Sequence, residues 1–111
     1  MNLNKKSVYE LLKKYAKKNN IDFLAVYGSY HKNSANENSD LDIIVDKYEN
    51  FSESELQTIE KDLSKLTGKK IDVITVKHLI NSPVCGYVWR SKDYTIIFGE
   101  PVVLNRETLI Y

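Results

Sequence analysis

Hydrophobic residues recur at helical spacing near the start of the chain, and lysines occupy most of the positions between them. Val8, Leu11, Leu12 and Tyr15 recur at helical spacing within residues 3 to 18, which predicts an amphipathic helix. The lysine-rich remainder of this segment indicates a solvated face. The pattern alone leaves open that this face binds RNA or an acidic partner.

A second helix is predicted from Ser52 to Leu66, with signals at both of its ends. Ser52 and Glu55 form a capping box, and Phe51 and Leu56 lie where a hydrophobic staple is expected. Gly68 lies where a C-terminal cap is expected. The buried stripe is predicted to comprise Leu56, Ile59, Leu63 and Leu66.

The remaining apolar runs are short and rich in β-branched residues, which is typical of strands. Strands are predicted at 21–27, 41–45, 71–76 and 94–98, with one more short strand at 102–104. Ser82 and Pro83 predict the N-cap and first residue of a further helix that reaches Ser91, although Gly86 is unfavourable inside it. This order of elements predicts an α/β (α+β) fold, in which helices pack against a mixed sheet.

Composition narrows the possible classes of protein. The length of 111 residues suits one domain, taken as residues 1–111, and the formal net charge of +1 indicates neither nucleic-acid nor membrane binding. A single cysteine, Cys85, excludes an internal disulfide and favours a reducing, cytoplasmic setting. The first ten residues lack the apolar segment of a secretory signal, and no apolar run is long enough to span a bilayer.

Two carboxylates lie at the start of the second predicted strand. Because residues two apart on a strand point to the same face, Asp40 and Asp42 should project together while Leu41 and Ile43 face the core. Adjacent like charges repel, and a divalent cation between them would offset that repulsion. Hard oxygen ligands of this kind suit Mg²⁺, which usually keeps water and substrate phosphates as its other ligands.

A third carboxylate, Asp72, interrupts an otherwise apolar strand, where burial without a partner is costly. If the helix from Ser52 to Leu66 is a crossover, it lays this strand parallel to the one that carries Asp42. The three carboxylates could then meet at one metal centre. Read separately, Asp40 and Asp42 could equally be a solvated turn, and Asp72 a charge that protects an edge strand.

Gly28 and Ser29 follow the first predicted strand. A glycine permits close approach of the backbone, and free N–H groups together with a serine hydroxyl can bind phosphate oxygens. The same two residues could instead end a strand and cap a helix. Mg²⁺ held by carboxylates beside a phosphate site is what phosphoryl-type transfer requires, since two metal ions can stabilise the attacking and leaving oxygens.

The complete pattern resembles the signature of the DNA polymerase β-like nucleotidyltransferase superfamily. Its elements here are Gly28, Ser29, a spacer of ten residues, Asp40, Asp42 and Asp72. The short chain and the run from Ser39 to Val45 resemble the minimal nucleotidyltransferases (MNT) of that superfamily. The resemblance covers about residues 20–76 and implies a polymerase β-like fold.

The resemblance also implies an activity and roles for the residues. A nucleoside triphosphate, usually ATP, would be the donor, and AMP would pass to a hydroxyl. Asp40 and Asp42 would bind two Mg²⁺ ions, and Asp72 would bind the catalytic one and help to activate the acceptor. Gly28 and Ser29 would hold the triphosphate.

The chain departs from the family pattern just after Ser29, where many relatives carry an arginine. Lys32 could replace that arginine, although only as a point charge. Nearby, Tyr30 could stack on a base or pack on the sheet, and His31 could approach phosphate but is expected to be an exposed loop residue. No role is predicted for His78, which is expected to begin a loop, and Trp89 is expected in the core or at an interface.

The resemblance further implies a partner. Minimal members of the family commonly pair with a HEPN-domain RNase toxin, which the transferase adenylylates in its role as antitoxin. Only about 35 residues follow the third predicted strand, too few to enclose a small-molecule acceptor. Two other hypotheses stay open: a catalytically weak module that neutralises a partner by stoichiometric contact, and a nucleic-acid-binding protein that uses the lysine-rich helix.

Overall fold

The computed structural model describes residues 5–28, 30, 40–84 and 86–102, which contain both helices and strands. In chain order the elements are α1 (Lys5–Lys18), β1 (Phe23–Tyr27), β2 (Leu41–Asp46), α2 (Glu53–Thr67), β3 (Ile71–Thr75), α3 (Val76–Asn81), α4 (Gly86–Arg90) and β4 (Tyr94–Gly99). Within this described part, no helix is long and apolar enough to cross a membrane.

The strands form one mixed sheet in the order β3-β2-β1-β4. β1 pairs antiparallel with β2 and with β4, whereas β2 and β3 are parallel and are joined through α2. The α/β prediction of a mixed sheet with packed helices is therefore confirmed. The predicted parallel placement of the strands that carry Asp42 and Asp72 is confirmed as well.

The larger part of the core fills the space between one face of the sheet and helices α1 and α2. Apolar residues of these helices, such as Leu12 and Leu63, pack there against Leu41, Ile43 and Val45 of β2. The three β2 side chains are fully buried. Alternation along β2 therefore points its apolar residues to this face and leaves Asp42 on the other.

Short helices α3 and α4 cover part of the opposite face and form a second, smaller core. Its buried residues are Phe23, Ala25, Ile44, Val76, Leu79 and Val88. Ile44 is fully buried beneath this layer, while Asp42, two residues earlier on the same face, is only partly buried. The carboxylate thus lies where the sheet emerges from under its helical cover.

The predicted capping signals of α2 are confirmed. The Glu55 backbone N–H donates to the Ser52 hydroxyl at 3.1 Å, and the Ser52 N–H donates to the Glu55 carboxylate at 2.9 Å. At the other end, Gly68 has a φ of +68° and donates its N–H to the Ser64 carbonyl at 2.8 Å. Phe51 joins the rim of the larger core.

The segment after β3 differs from the prediction. The strand ends at Thr75, and Val76 begins α3 because the Thr75 hydroxyl accepts the His78 N–H at 3.1 Å as an N-cap. The prediction that His78 starts a loop is therefore wrong. Ser82 is the C-cap of α3, and the helix behind it begins at Gly86 instead of Pro83.

Two other predicted boundaries change. The first strand begins at Phe23, two residues later than predicted, although Ile21 is buried in the larger core. Val102 is not in a strand, and residues 103 and 104 lie outside the described part. Val102 instead donates its N–H to the buried Asp46 carboxylate at 2.7 Å, which holds the chain beyond β4 against the end of β2.

Candidate active site

Asp42 and Asp72 are direct neighbours in the sheet. The parallel register pairs Asp42 of β2 with Asp72 of β3, so both side chains lie on the face that α3 and α4 partly cover. Strands are about 4.8 Å apart, so the two carboxylates project from backbone positions within reach of one ion. Asp72 is exposed on the edge strand β3, whereas Asp42 is half-buried.

The Asp42 carboxyl is the group whose ionisation this arrangement disfavours. Its pKa is raised above the ordinary value, first by burial, then by the negative charge of Asp72, and then by that of Asp40. Asp40 is exposed and lies immediately before β2, since the strand begins at Leu41. Asp72 and Asp40 therefore both repel the charge of Asp42, and a cation among the carboxylates would relieve that repulsion.

Gly28 lies directly against the Asp42 carboxylate. It follows β1 with a φ of +68°, and a Cβ added there would be 2.6 Å from Asp42 Oδ2. An L side chain would be strained by that φ and would collide with the carboxylate. The absence of a side chain thus lets the Asp42 carboxylate lie against the Gly28 backbone, at the position where the sequence predicts phosphate binding.

The carboxylates do not surround a metal position on all sides. Among the described residues, no group of three or more His, Cys, Asp or Glu side chains forms a cage for a metal ion. The adjacent pair of Asp42 and Asp72 nevertheless fits Mg²⁺, which is commonly bound through one or two carboxylates with substrate phosphates completing its coordination.

Comparison with known proteins places this site in a family. The family model described as "Polymerase beta, Nucleotidyltransferase" matches residues 10–96, a span that contains Gly28 and all three carboxylates. This chain belongs to the polymerase β nucleotidyltransferase family. The prediction that it is a nucleotidyltransferase is confirmed.

Curated relatives of this nucleotidyltransferase occur in the archaeon Methanocaldococcus jannaschii. This chain is 37% identical over 95 residues to "Putative protein adenylyltransferase MJ1217", and the alignment covers 82% of this chain and 93% of the relative. A second relative, "Putative protein adenylyltransferase MJ0126", matches with the same identity over the same length.

Solved structures share the fold at low sequence identity. One titled as a toxin-antitoxin with AMP-PNP superposes with a TM-score of 0.66 at 17% identity, covering 88% of this chain and 75% of that one. Another, titled as a tri-AMPylated Shewanella oneidensis HEPN toxin in complex with an MNT antitoxin, gives 0.65 at 11% identity, covering 96% and 79%. The predicted polymerase β-like fold is confirmed.

The remaining predicted residues of the nucleotidyltransferase site have mixed outcomes. Ser29 and Lys32, predicted to hold the triphosphate, lie outside the described residues, as does His31. Tyr30 packs in the larger core with only 4% of its surface exposed, and the Lys69 ammonium lies 5.6 Å from its ring centroid. The alternative in which Tyr30 packs on the sheet is therefore confirmed, and its ring is not free for stacking.

Two tyrosines near the carboxylates received no role from the sequence. Tyr27 ends β1 directly opposite Asp42, and Tyr94 begins β4 directly opposite Tyr27. Trp89, expected in the core or at an interface, packs on the smaller core and stacks on Tyr94. The position of Tyr27 just before Gly28 was a usable signal, but the pairing of β4 with β1 is long-range and has no local mark in the sequence.

Proposed function

We propose that this nucleotidyltransferase transfers AMP from MgATP to a hydroxyl of a partner protein in the cytoplasm. The names of the archaeal relatives refer to protein adenylyltransferases, and the structural neighbours are titled as toxin-antitoxin pairs, one of them with an AMPylated HEPN toxin. The partner is accordingly a HEPN-type toxin, and this chain acts as its antitoxin. Among the described residues, the adjacent carboxylates of Asp42 and Asp72 beside Gly28 carry the proposal.

Each described residue of the site has a part in the proposed reaction. The acceptor oxygen forms a bond to the α-phosphorus of ATP while the bond from that phosphorus to the bridging oxygen breaks and pyrophosphate leaves. Asp72 is exposed and takes the proton from the acceptor hydroxyl. Asp42 and Asp40, together with Asp72, would hold two Mg²⁺ ions. When bound, these ions neutralise phosphate charge and stabilise the attacking and leaving oxygens.

In this proposal the phosphates bind beside the backbone of Gly28. A side chain at this position would meet Asp42 Oδ2 at 2.6 Å, so only glycine lets the carboxylate lie against the backbone that would receive the triphosphate. Ser29 and Lys32 complete the phosphate site in this proposal, with the hydroxyl donating a hydrogen bond and the ammonium balancing charge.

The proposal is tested with α-³²P-labelled ATP, Mg²⁺ and the co-purified partner or a lysate of the native host. Wild type should label a protein band, and Asp42→Asn should reduce labelling by at least 100-fold, because it removes a charge that the metal ions require. Glu49→Gln is the matched control, since Glu49 is exposed beyond the far end of β2 and its loss removes the same charge.

The two variants separate the possible outcomes. If Asp42→Asn labels the protein band as strongly as wild type does, the proposed mechanism is refuted. If wild type binds nucleotide but labels nothing, while an Asp40→Asn, Asp42→Asn double variant still protects cells from the toxin, neutralisation occurs by stoichiometric contact instead of transfer.

A further inference from the structure

Four side chains form one row across the sheet, and this row extends the candidate active site. Asp72 pairs with Asp42, Asp42 pairs with Tyr27, and Tyr27 pairs with Tyr94. Directly paired residues project to the same face, so the row runs from two carboxylates at one edge to two aromatic rings at the other. With strands about 4.8 Å apart, Tyr94 lies roughly 10 Å from Asp42.

The aromatic end of the row is built on a rigid support. Trp89 of α4 stacks on Tyr94 with ring centroids 5.1 Å apart and an interplanar angle of 10°. Phe23 contacts both rings edge-on, at centroid distances of 6.2 Å and 6.4 Å. Phe23 is fully buried, while Trp89 and Tyr94 keep part of their surface exposed. Phe23 thus supports the Trp89–Tyr94 pair from the buried side, and part of each ring remains accessible to solvent.

A ligand that fits this row carries phosphates at one end and a flat ring at the other. The phosphates belong at Gly28 and the carboxylates, as proposed above. The distance from Asp42 to Tyr94, two strand spacings, is comparable to the distance from the phosphates of a nucleotide to its base. Tyr30 cannot supply the stacking surface because it is buried on the opposite face of the sheet.

The two edges of the sheet differ in a way that fixes the direction of the nucleotide. β3, the strand of Asp72, is an edge strand with no aromatic residue, and Asp72 itself is exposed. β4 forms the other edge and carries Tyr94. A base directed towards β4 leaves the Asp72 side open to the acceptor hydroxyl, whereas the reverse orientation would block it.

We propose that Tyr94, supported by Trp89, is the surface on which the base of the donor nucleotide stacks. The inference rests on the proposed function, because it concerns the same site. Every base has a flat π-face, so such a surface strengthens binding of any nucleotide and discriminates little among bases. Tyr94 is thus a binding residue that orients the nucleotide with its α-phosphate towards Asp72.

Trp89 is the only tryptophan in the chain, so its fluorescence reports on this surface alone. Titration with Mg²⁺ and AMP-PNP should change the emission of Trp89 saturably, and tripolyphosphate with Mg²⁺ should leave it unchanged. Tyr94→Leu should raise the Kd for labelled ATP in equilibrium dialysis by about 10- to 100-fold, because a stacking partner is lost. Tyr94→Phe keeps the ring and should bind as wild type does.

Tyr87→Leu is the matched control, since Tyr87 lies on α4 but is 51% exposed and outside the row. Wild type that binds ATP with unchanged Trp89 emission would overturn the stacking surface and leave the proposed transfer standing. An unchanged Kd in Tyr94→Leu would do the same. If wild type binds no ATP at all, both the transfer and the stacking surface are refuted. Should Tyr94→Leu fail to fold, the wild-type titration still decides.

Discussion

Replacement of Gly28 by alanine tests whether the close approach of backbone and carboxylate matters for transfer. The added Cβ would lie 2.6 Å from Asp42 Oδ2, whereas ordinary contacts begin at 3.4 Å. The carboxylate must therefore move by roughly 1 Å, and a misplacement of that size can cost about 100-fold in rate. The same substitution forces alanine into a left-handed backbone conformation.

The backbone strain is expected to lower stability independently of the collision. A left-handed alanine costs about 1–2 kcal/mol relative to glycine. In a domain of this size, that corresponds to a fall in Tm of roughly 4–16 °C. Asp42 sits at the partly open end of the face, so its side chain can move aside and adds little to this cost.

Gly68 provides the control, because an alanine there would have the same backbone strain as at Gly28 but would not collide with another atom. Gly68 also has a φ of +68°, and an added Cβ would have no atom within 4 Å. Gly68→Ala should therefore lose about as much Tm as Gly28→Ala and keep its transfer rate. The assay compares initial rates of AMP transfer below the Tm of both variants. Equal rates in the two variants would refute the argument that Gly28 positions Asp42.

Two further predictions concern stability. Ser52→Ala should lower the free energy of unfolding by about 1 kcal/mol in urea titrations, because it removes the hydroxyl that accepts the Glu55 N–H; an unchanged midpoint would show that the capping box contributes nothing. Asp42→Asn should raise the Tm of the metal-free protein and abolish the rise that Mg²⁺ produces in wild type. The pKa of Asp42 is raised by burial and by the charges of Asp72 and Asp40. The destabilising negative charge of Asp42 is therefore absent below its ordinary pKa of 3.8. The stability advantage of Asp42→Asn over wild type should grow as the pH rises above that value.

The features predicted correctly from sequence were those with local causes. The capping box at Ser52 and the left-handed cap at Gly68 depend on residues a few positions apart. The proximity of Asp42 and Asp72 followed from one further rule, that a strand, a helix and a strand in succession favour parallel pairing. Family membership followed from the spacing of the same residues.

The helix α3 was missed although the sequence contains a signal for it. Val76, Leu79 and Ile80 have helical spacing, and Thr75 precedes them as an N-cap. The β-branched residues that end β3 continue into Val76, so a strand pattern extends past the true boundary. Six residues are too few for periodicity to outweigh that pattern, and burial of Val76 and Leu79 in the smaller core decides the structure.

The environment of Tyr30 and the aromatic end of the row could not be predicted for a different reason. Tyr30 is buried because it packs among residues of the larger core that are distant in sequence. The placement of Tyr94 beside Tyr27 and the carboxylates requires β4 to pair with β1, across more than 65 intervening residues. Contacts of that range leave no periodic or turn signal in the segments that make them.

The position of the candidate carboxylates follows from how the core is packed. Leu41, Ile43 and Val45 are fully buried against α1 and α2, so a slip of one residue in β2 would turn all three away from that core. The same alternation forces Asp42 onto the opposite face, beside Asp72. Burial of the leucine, isoleucine and valine therefore fixes the register that assembles the charged site. The free energy that holds these two repelling carboxylates side by side thus comes from burial of the apolar face of the strand.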